Sequence, residues 1–239
     1  MDYLDTIIFV ALAILPGLIW LFFFLREDKH PEPGRMILKV FLFGALLAIP
    51  VIALFVVIEP FLEVLLSLAL GKLLIIVAFA PIIEEVAKYL AVRTSVLYHP
   101  ECDEPVDIMI YAVTAALGFA TVENILFLLP LGVSFSLQEV VMGSFMRFIG
   151  ATLLHAIASA IMGYFLALSV MKKKKRMQFV IGGLVIAILL HSAYNLLLVI
   201  QMAIIFIPLL LGVSLVVVLL CFKKLRNSPV TSFDNSESS

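Results

Sequence analysis

Residues 179–200 read FVIGGLVIAILLHSAYNLLLVI, and residues 203–222 read AIIFIPLLLGVSLVVVLLCF. A helix needs about 20 apolar residues to cross a hydrocarbon core of about 30 Å. Each stretch has that length and contains no Lys, Arg, Asp or Glu. The runs are continuous rather than alternating, which predicts helices and not barrel strands. Yet the first run carries His191 and Asn195, four residues apart and so on one helical face.

Five further runs of spanning length lie upstream, at 4–25, 36–58, 73–92, 108–129 and 148–170. The predicted fold is therefore all-α, a polytopic bundle of seven transmembrane helices. The composition agrees. Of 239 residues, 64% are hydrophobic and 14% charged, with a mean hydropathy of +1.20. A soluble domain is nearer half apolar. Without a continuous basic face, a nucleic-acid partner is excluded, and the lipid bilayer is the expected surrounding. The start, Met1-Asp2-Tyr3-Leu4-Asp5, lacks the basic opening of a secretory signal, so the first run is expected to stay as a span. Cys102 and Cys221 have neither metal nor disulfide-framework spacing.

Lys and Arg in short loops set orientation. They cluster at Arg26, Lys29 and Arg35, at residues 172–176, and at Lys223, Lys224 and Arg226. Seven alternating spans put all three clusters on one side. That predicts a cytoplasmic C-terminus and an N-terminus outside. The turn near Gln201 is short, so six spans with a re-entrant ending is the alternative. Residues 59–72 are expected to form an interfacial helix, and 134–147 to behave similarly. One transmembrane domain should occupy 1–226, with a disordered, Ser-rich cytoplasmic tail at 227–239. The turn Asp28-Lys29-His30-Pro31-Glu32-Pro33 reads as an ordered connection rather than a site.

Ionisable groups inside spans cost at least about 2.5–3.5 kcal/mol each on insertion scales, so those retained point to function. The third span holds Glu84, Glu85 and Lys88, the fourth Glu123 and Asn124, the fifth His155, the sixth His191 and Asn195. Lys88 can reach Glu84 at i+4 or Glu85 at i+3, while the two glutamates diverge by about 100°. At about 1.5 Å per residue, Glu123 and His155 lie about 10 Å below the outer end of their spans, His191 about 13 Å and Glu84 about 18 Å. Such convergence allows three classes: hydrolase, proton-coupled transporter and metal transporter. For hydrolysis, a glutamate in a dry site can act as general base, and His and Asn can donate to an oxyanion. Glu123, His155 and His191 are also an adequate set for zinc. His-Glu-x-x-His and Gly-x-Ser-x-Gly are both absent. A transporter would be expected to show two similar halves, and none are visible.

Four motifs resemble the PrsW family of intramembrane proteases, distant relatives of CAAX-processing and bacteriocin-processing membrane proteases. They are Glu84-Glu85-Val86-Ala87-Lys88; Glu104-Pro105-Val106-Asp107 with Gly118-Phe119-Ala120-Thr121-Val122-Glu123-Asn124; His155; and His191-Ser192-Ala193-Tyr194-Asn195. With the loop Asp28 to Pro33, the likeness covers roughly residues 5–200. It implies a peptidase of the bacterial plasma membrane. The implied substrate is a single-pass membrane protein, an anti-sigma factor receiving its first cut under envelope stress. Functional residues implied are Glu84, Glu85, Glu123, His155 and His191, with Asn195 from the wider relatives. On this reading Glu84 or Glu85 activates water, Lys88 sets its charge state and Asn195 assists the oxyanion. Glu123, His155 and His191 hold either zinc or the water and oxyanion. The wider relatives have His where Glu123 stands, and a glutamate mechanism without metal fits them, so both chemistries stay open.

Overall fold

The computed structural model describes residues 3–65, 68–134 and 136–228. Among these the chain is helical, in the order α1 (Tyr3–Leu25), α2 (Gly34–Leu65), α3 (Leu68–Leu74), α4 (Ala80–Ser95), α5 (Pro105–Ser134), α6 (Leu137–Arg147), α7 (Leu153–Met171), α8 (Arg176–Val199) and α9 (Ala203–Arg226). Two π-helical turns, Ile75–Phe79 and Phe148–Thr152, join α3 to α4 and α6 to α7 without a break. Six helical segments among the described residues are long and apolar enough to cross a membrane. The seventh rod, α3 through α4, is also continuous, but Glu84, Glu85, Lys88 and Arg93 lower its hydropathy.

α5 and α7 form the centre. Within the membrane-length stretch of α5, 94% of residues are buried by other helices, against 17% in α2 and α9. The outer helices therefore keep their apolar sides for lipid. Bilayers supply no hydrophobic force between helices, so close packing must do the work, and small residues permit it. Gly118 of α5 lies against the Phe41 carbonyl of α2, and Gly44 of α2 against the Ala115 backbone of α5. A Cβ at either position would fall on backbone, which cannot rotate away. This reciprocal contact fixes α2 on α5 and so positions Phe119 and Glu123.

The basic clusters gather at one end of the bundle. Arg226 donates to the Glu27 carbonyl at 3.1 Å, and Arg176 donates to Tyr98 Oη. The C-terminal end of α9 thus meets the first loop, and the α7–α8 turn meets the α4–α5 turn. Gln201, with φ of 60°, makes the tight reversal between α8 and α9. A complete helix follows it, so the re-entrant ending is not found. Two local expectations change. α2 continues through Pro60 to Leu65, because a proline removes one donor without ending a helix held by its neighbours and by lipid. Residues 137–147 are not a detached interfacial helix: a capping box at Ser136 and Glu139 starts a rod that runs on into α7. Asn227 and Ser228 close the described chain, and the rest of the predicted tail lies outside the described residues.

Candidate active site

The site is assembled from α4, α5, α7 and α8, with both π turns directly before its key helices. Each π turn is held by a contact from another helix. Ala80 N–H bonds the Ile75 carbonyl, five residues back. The matching donor for Ile76 would be residue 81, which is Pro81 and has no N–H. Asn195 of α8 fills that gap, its Nδ2 donating to the Ile76 carbonyl at 2.8 Å. In the second turn, Trp20 Nε1 donates to the Phe148 carbonyl at 2.8 Å, and the rings of Trp20 and Phe148 stack at 5.3 Å. A carbonyl drawn sideways leaves the regular helical ladder.

The second π turn has a consequence for the site. In an unbroken α-helix, residues eight apart are about 80° out of line. A π turn absorbs about one residue, leaving an offset of about 20°. Arg147 and His155 thereby face the same cavity. Sequence reasoning missed Arg147, which sat at the edge of a stretch read as interfacial. A charge two turns before an intramembrane histidine was the available signal.

The polar groups form one network. Lys88, 2% exposed, lies 2.7 Å from Glu85 Oε1, 3.6 Å from Glu84 Oε2 and 2.6 Å from His155 Nδ1. Its ammonium also stands 4.9 Å from the Phe119 ring centroid. His155 Nε2 lies 2.7 Å from Glu123 Oε2, which Arg147 reaches at 3.3 Å. Arg147 Nε donates to Asn124 Oδ1, and Asn124 Nδ2 donates to the Ala13 carbonyl at 3.2 Å. His191 Nδ1 lies 2.9 Å from Glu85 Oε1. An ammonium only donates, so the contact with Lys88 makes His155 Nδ1 an acceptor and assigns its proton to Nε2, toward Glu123. A carboxylate only accepts, so His191 carries a proton on Nδ1 and turns Nε2 toward the cavity.

Glu84 and Glu85 are thereby separated. Glu85 is 1% exposed and lies behind the site, engaged by Lys88 and His191. Glu84 lines a cavity of about 490 Å³ together with Glu123, Arg147, His155, His191 and Asn195. Its Oε2 is buried, has no hydrogen-bond partner, and stands 3.9 Å from His191 Nε2 and 4.0 Å from His155 Nδ1. The rings of His155 and His191 meet edge to face at 5.1 Å. A second, apolar cavity of about 360 Å³ adjoins the first, opens between the α6–α7 rod, α8 and α9, and shares Met146, Tyr194 and Leu198 with it.

Residues 32–222 match the profile of the PrsW family intramembrane metalloproteases. The chain belongs to the PrsW family. Among similar proteins, Protease PrsW of Geobacillus kaustophilus is 31% identical over 194 residues, 78% of this chain and 77% of the relative. Those of Bacillus subtilis and Clostridioides difficile are 29% and 30% identical, over 78% and 80% of this chain and 80% and 79% of theirs. No solved structure matches. This PrsW-family chain is thus a multi-pass cell-membrane peptidase, and its substrates are embedded in the bilayer. The transporter alternative finds no support.

The family's description names a metal, and the residues fit one. Glu84, His155 and His191 each offer a ligand atom, all within 4.8 Å of one another. Two imidazoles and a carboxylate are a donor set suited to catalytic zinc. The unpartnered, buried Glu84 Oε2 is the atom such an ion would satisfy. His191 is already oriented by Glu85 as metal-ligating histidines are by an outer carboxylate.

Proposed function

We propose that this PrsW-family peptidase hydrolyses a peptide bond of a single-pass membrane protein, making the first cut in an anti-sigma factor. The unpartnered Glu84 Oε2, facing the cavity between two histidines, carries the chemical part of this reading. The anti-sigma substrate rests on the four-motif resemblance. Orientation, with the N-terminus outside and the C-terminus cytoplasmic, rests on the basic clusters gathered at one end of the bundle.

Glu84, His155 and His191 would hold the metal, zinc by donor type, and when bound it supplies Lewis-acid polarisation of the scissile carbonyl. Lys88 and Glu85 sit behind this set: Glu85 orients His191, and Lys88 donates to His155 Nδ1, a contact it would have to give up for that nitrogen to hold the metal. Glu123 is the remaining cavity carboxylate. It takes a proton from the attacking water and returns it to the leaving amine. The sequence reading gave the proton to Glu84 or Glu85, and had Glu123, with the two histidines, hold either zinc or the water and oxyanion. The exchange is favoured because Glu84 approaches both histidines while Glu123 approaches only His155. Arg147 and the second N–H of Asn195 line the same cavity and are placed to receive a developing oxyanion. The adjoining apolar cavity offers a lateral route for a substrate helix from lipid.

The test is cleavage of a membrane-anchored reporter anti-sigma factor in proteoliposomes. Glu84→Ala, Glu123→Gln and His191→Ala should each abolish cleavage while the protein remains folded. Full activity of Glu84→Ala together with His191→Ala would overturn the assignment. Cleavage of unrelated single-pass proteins but not of the reporter would remove only the anti-sigma substrate.

A further inference from the structure

A second group of acidic side chains lies far from the cavity, where the α1–α2 loop meets the start of α5. Asp107 precedes Glu123 by sixteen residues on α5, about 24 Å along the helix. Here Asp28, Glu104 and Asp107 each offer an oxygen, all within 4.8 Å of one another. Two ion–oxygen bonds of Ca²⁺ span about 4.8 Å and two of Mg²⁺ about 4.2 Å. Asp28 is 8% exposed. Its Oδ1 accepts from the His30 amide at 2.9 Å, while its Oδ2 is buried with no hydrogen-bond partner.

The surroundings point the same way. The Asp107 Oδ2 accepts from the Asp103 and Glu104 amides at 2.9 and 2.6 Å, which holds the α4–α5 turn around it. Glu32 enters from the loop and accepts from Tyr111 Oη. Nearby arginines are committed elsewhere, Arg35 to Glu101 and Arg226 to Glu27. The close basic side chain is His30, whose Nδ1 lies 2.7 Å from Glu104 Oε1. Asp28 and Asp107 are buried and Glu104 half-buried, and carboxylates crowded this way are costly unless a cation joins them or, as between Asp107 and Glu32, a proton is shared. Oxygen-only donors select a hard ion over zinc or copper.

We infer that Asp28, Glu104 and Asp107 bind a hard divalent cation, Ca²⁺ or Mg²⁺, which pins the α1–α2 loop to the start of α5. The ion ties together two connections that are remote in sequence. It braces the end of the helix whose other half carries Glu123.

The test uses the full chain in nanodiscs of zwitterionic lipid, stripped of metal and titrated calorimetrically with CaCl₂ and, separately, MgCl₂. One ion should bind per chain and raise the unfolding temperature, and the two arms tell which ion is preferred. Asp28→Asn and the milder Glu104→Gln should each weaken binding by roughly tenfold or more, since affinity follows ligand charge count. Glu101→Gln, on the neighbouring exposed ion pair, and His191→Ala, in the distant cavity, should leave it unchanged. Absence of saturable binding at millimolar concentrations of either ion overturns the inference, as does wild-type affinity in both Asp28→Asn and Glu104→Gln. If Asp28→Asn instead stabilises the stripped protein, which itself ignores both ions, the carboxyls share protons and the inference fails. None of these readouts involves peptide cleavage.

Discussion

Replacing Lys88 by Met should destabilise the protein far more than losing a membrane hydrogen bond normally does. Lys88 and Glu85 are 2% and 1% exposed, and their charged atoms are 2.7 Å apart. Methionine keeps the unbranched stem, one atom shorter, and removes the charge. Glu85 then keeps only the His191 N–H at 2.9 Å for its buried carboxylate. Breaking a buried ion pair from one side costs about 3–5 kcal/mol, because the remaining charge is stranded. An ordinary interhelical hydrogen bond in a membrane averages about 0.6 kcal/mol. The two expectations differ several-fold, so one measurement separates them. At about 1.4 kcal/mol per decade, the loss is roughly 140- to 4,000-fold in the folding equilibrium. Reversible unfolding of Lys88→Met, Glu85→Gln and the double variant in mixed micelles supplies the cycle. The double variant no longer strands Glu85, though Glu84, 3.6 Å from the lysine, still loses its cation; it should recover much of the loss, giving a coupling of about 2–3 kcal/mol. A Lys88→Met cost below about 1 kcal/mol, or additive single effects, would refute the buried-pair reading.

On the proposed assignment, Glu123→Gln should retain whatever divalent metal the wild type binds yet lose cleavage, whereas His191→Ala should lose the metal itself; metal content by mass spectrometry separates a proton carrier from a ligand. Arg147→Met should lower kcat by at least about tenfold, the usual scale for one oxyanion donor being larger still, and Arg147→Lys should restore part of it; unchanged kcat in Arg147→Met would remove its role. Gly118→Val should prevent assembly of α2 on α5, because the added carbons meet backbone, while Gly212→Ala meets nothing within 4 Å and should be neutral or stabilising by up to about 1 kcal/mol; micelle unfolding compares them. Cys102 is fully buried, and burial pushes its thiol well above the ordinary range. It should resist maleimide until the protein unfolds, and rapid labelling of native protein would contradict this.

How far the sequence could be read depended on the range of the interactions involved. The lipid-facing runs and the residues too polar for them were legible, because insertion cost is a property of each span alone. Helical periodicity also paired Lys88 with either glutamate correctly. It could not choose between Glu84 and Glu85, since both diverge from one backbone and only the neighbouring helices define which side is a cavity. The π turns were invisible for the same reason. One depends on Asn195 satisfying a carbonyl from over a hundred residues away, the other on Trp20 reaching Phe148. Arg147 was missed because its stretch read as interfacial and because, in a regular helix, it would have stood about 80° out of line with His155.

The sequence by itself determined that this chain lives in a membrane as helices, and which few polar residues the membrane tolerates. Those outcomes follow from transfer costs summed along short stretches. Tertiary structure alone decided which carboxylate faces the histidines, which is sealed behind them, and where each histidine places its proton. Those are relations between atoms on different helices, set by glycine-permitted contact and by hydrogen bonds that close only when the bundle is assembled.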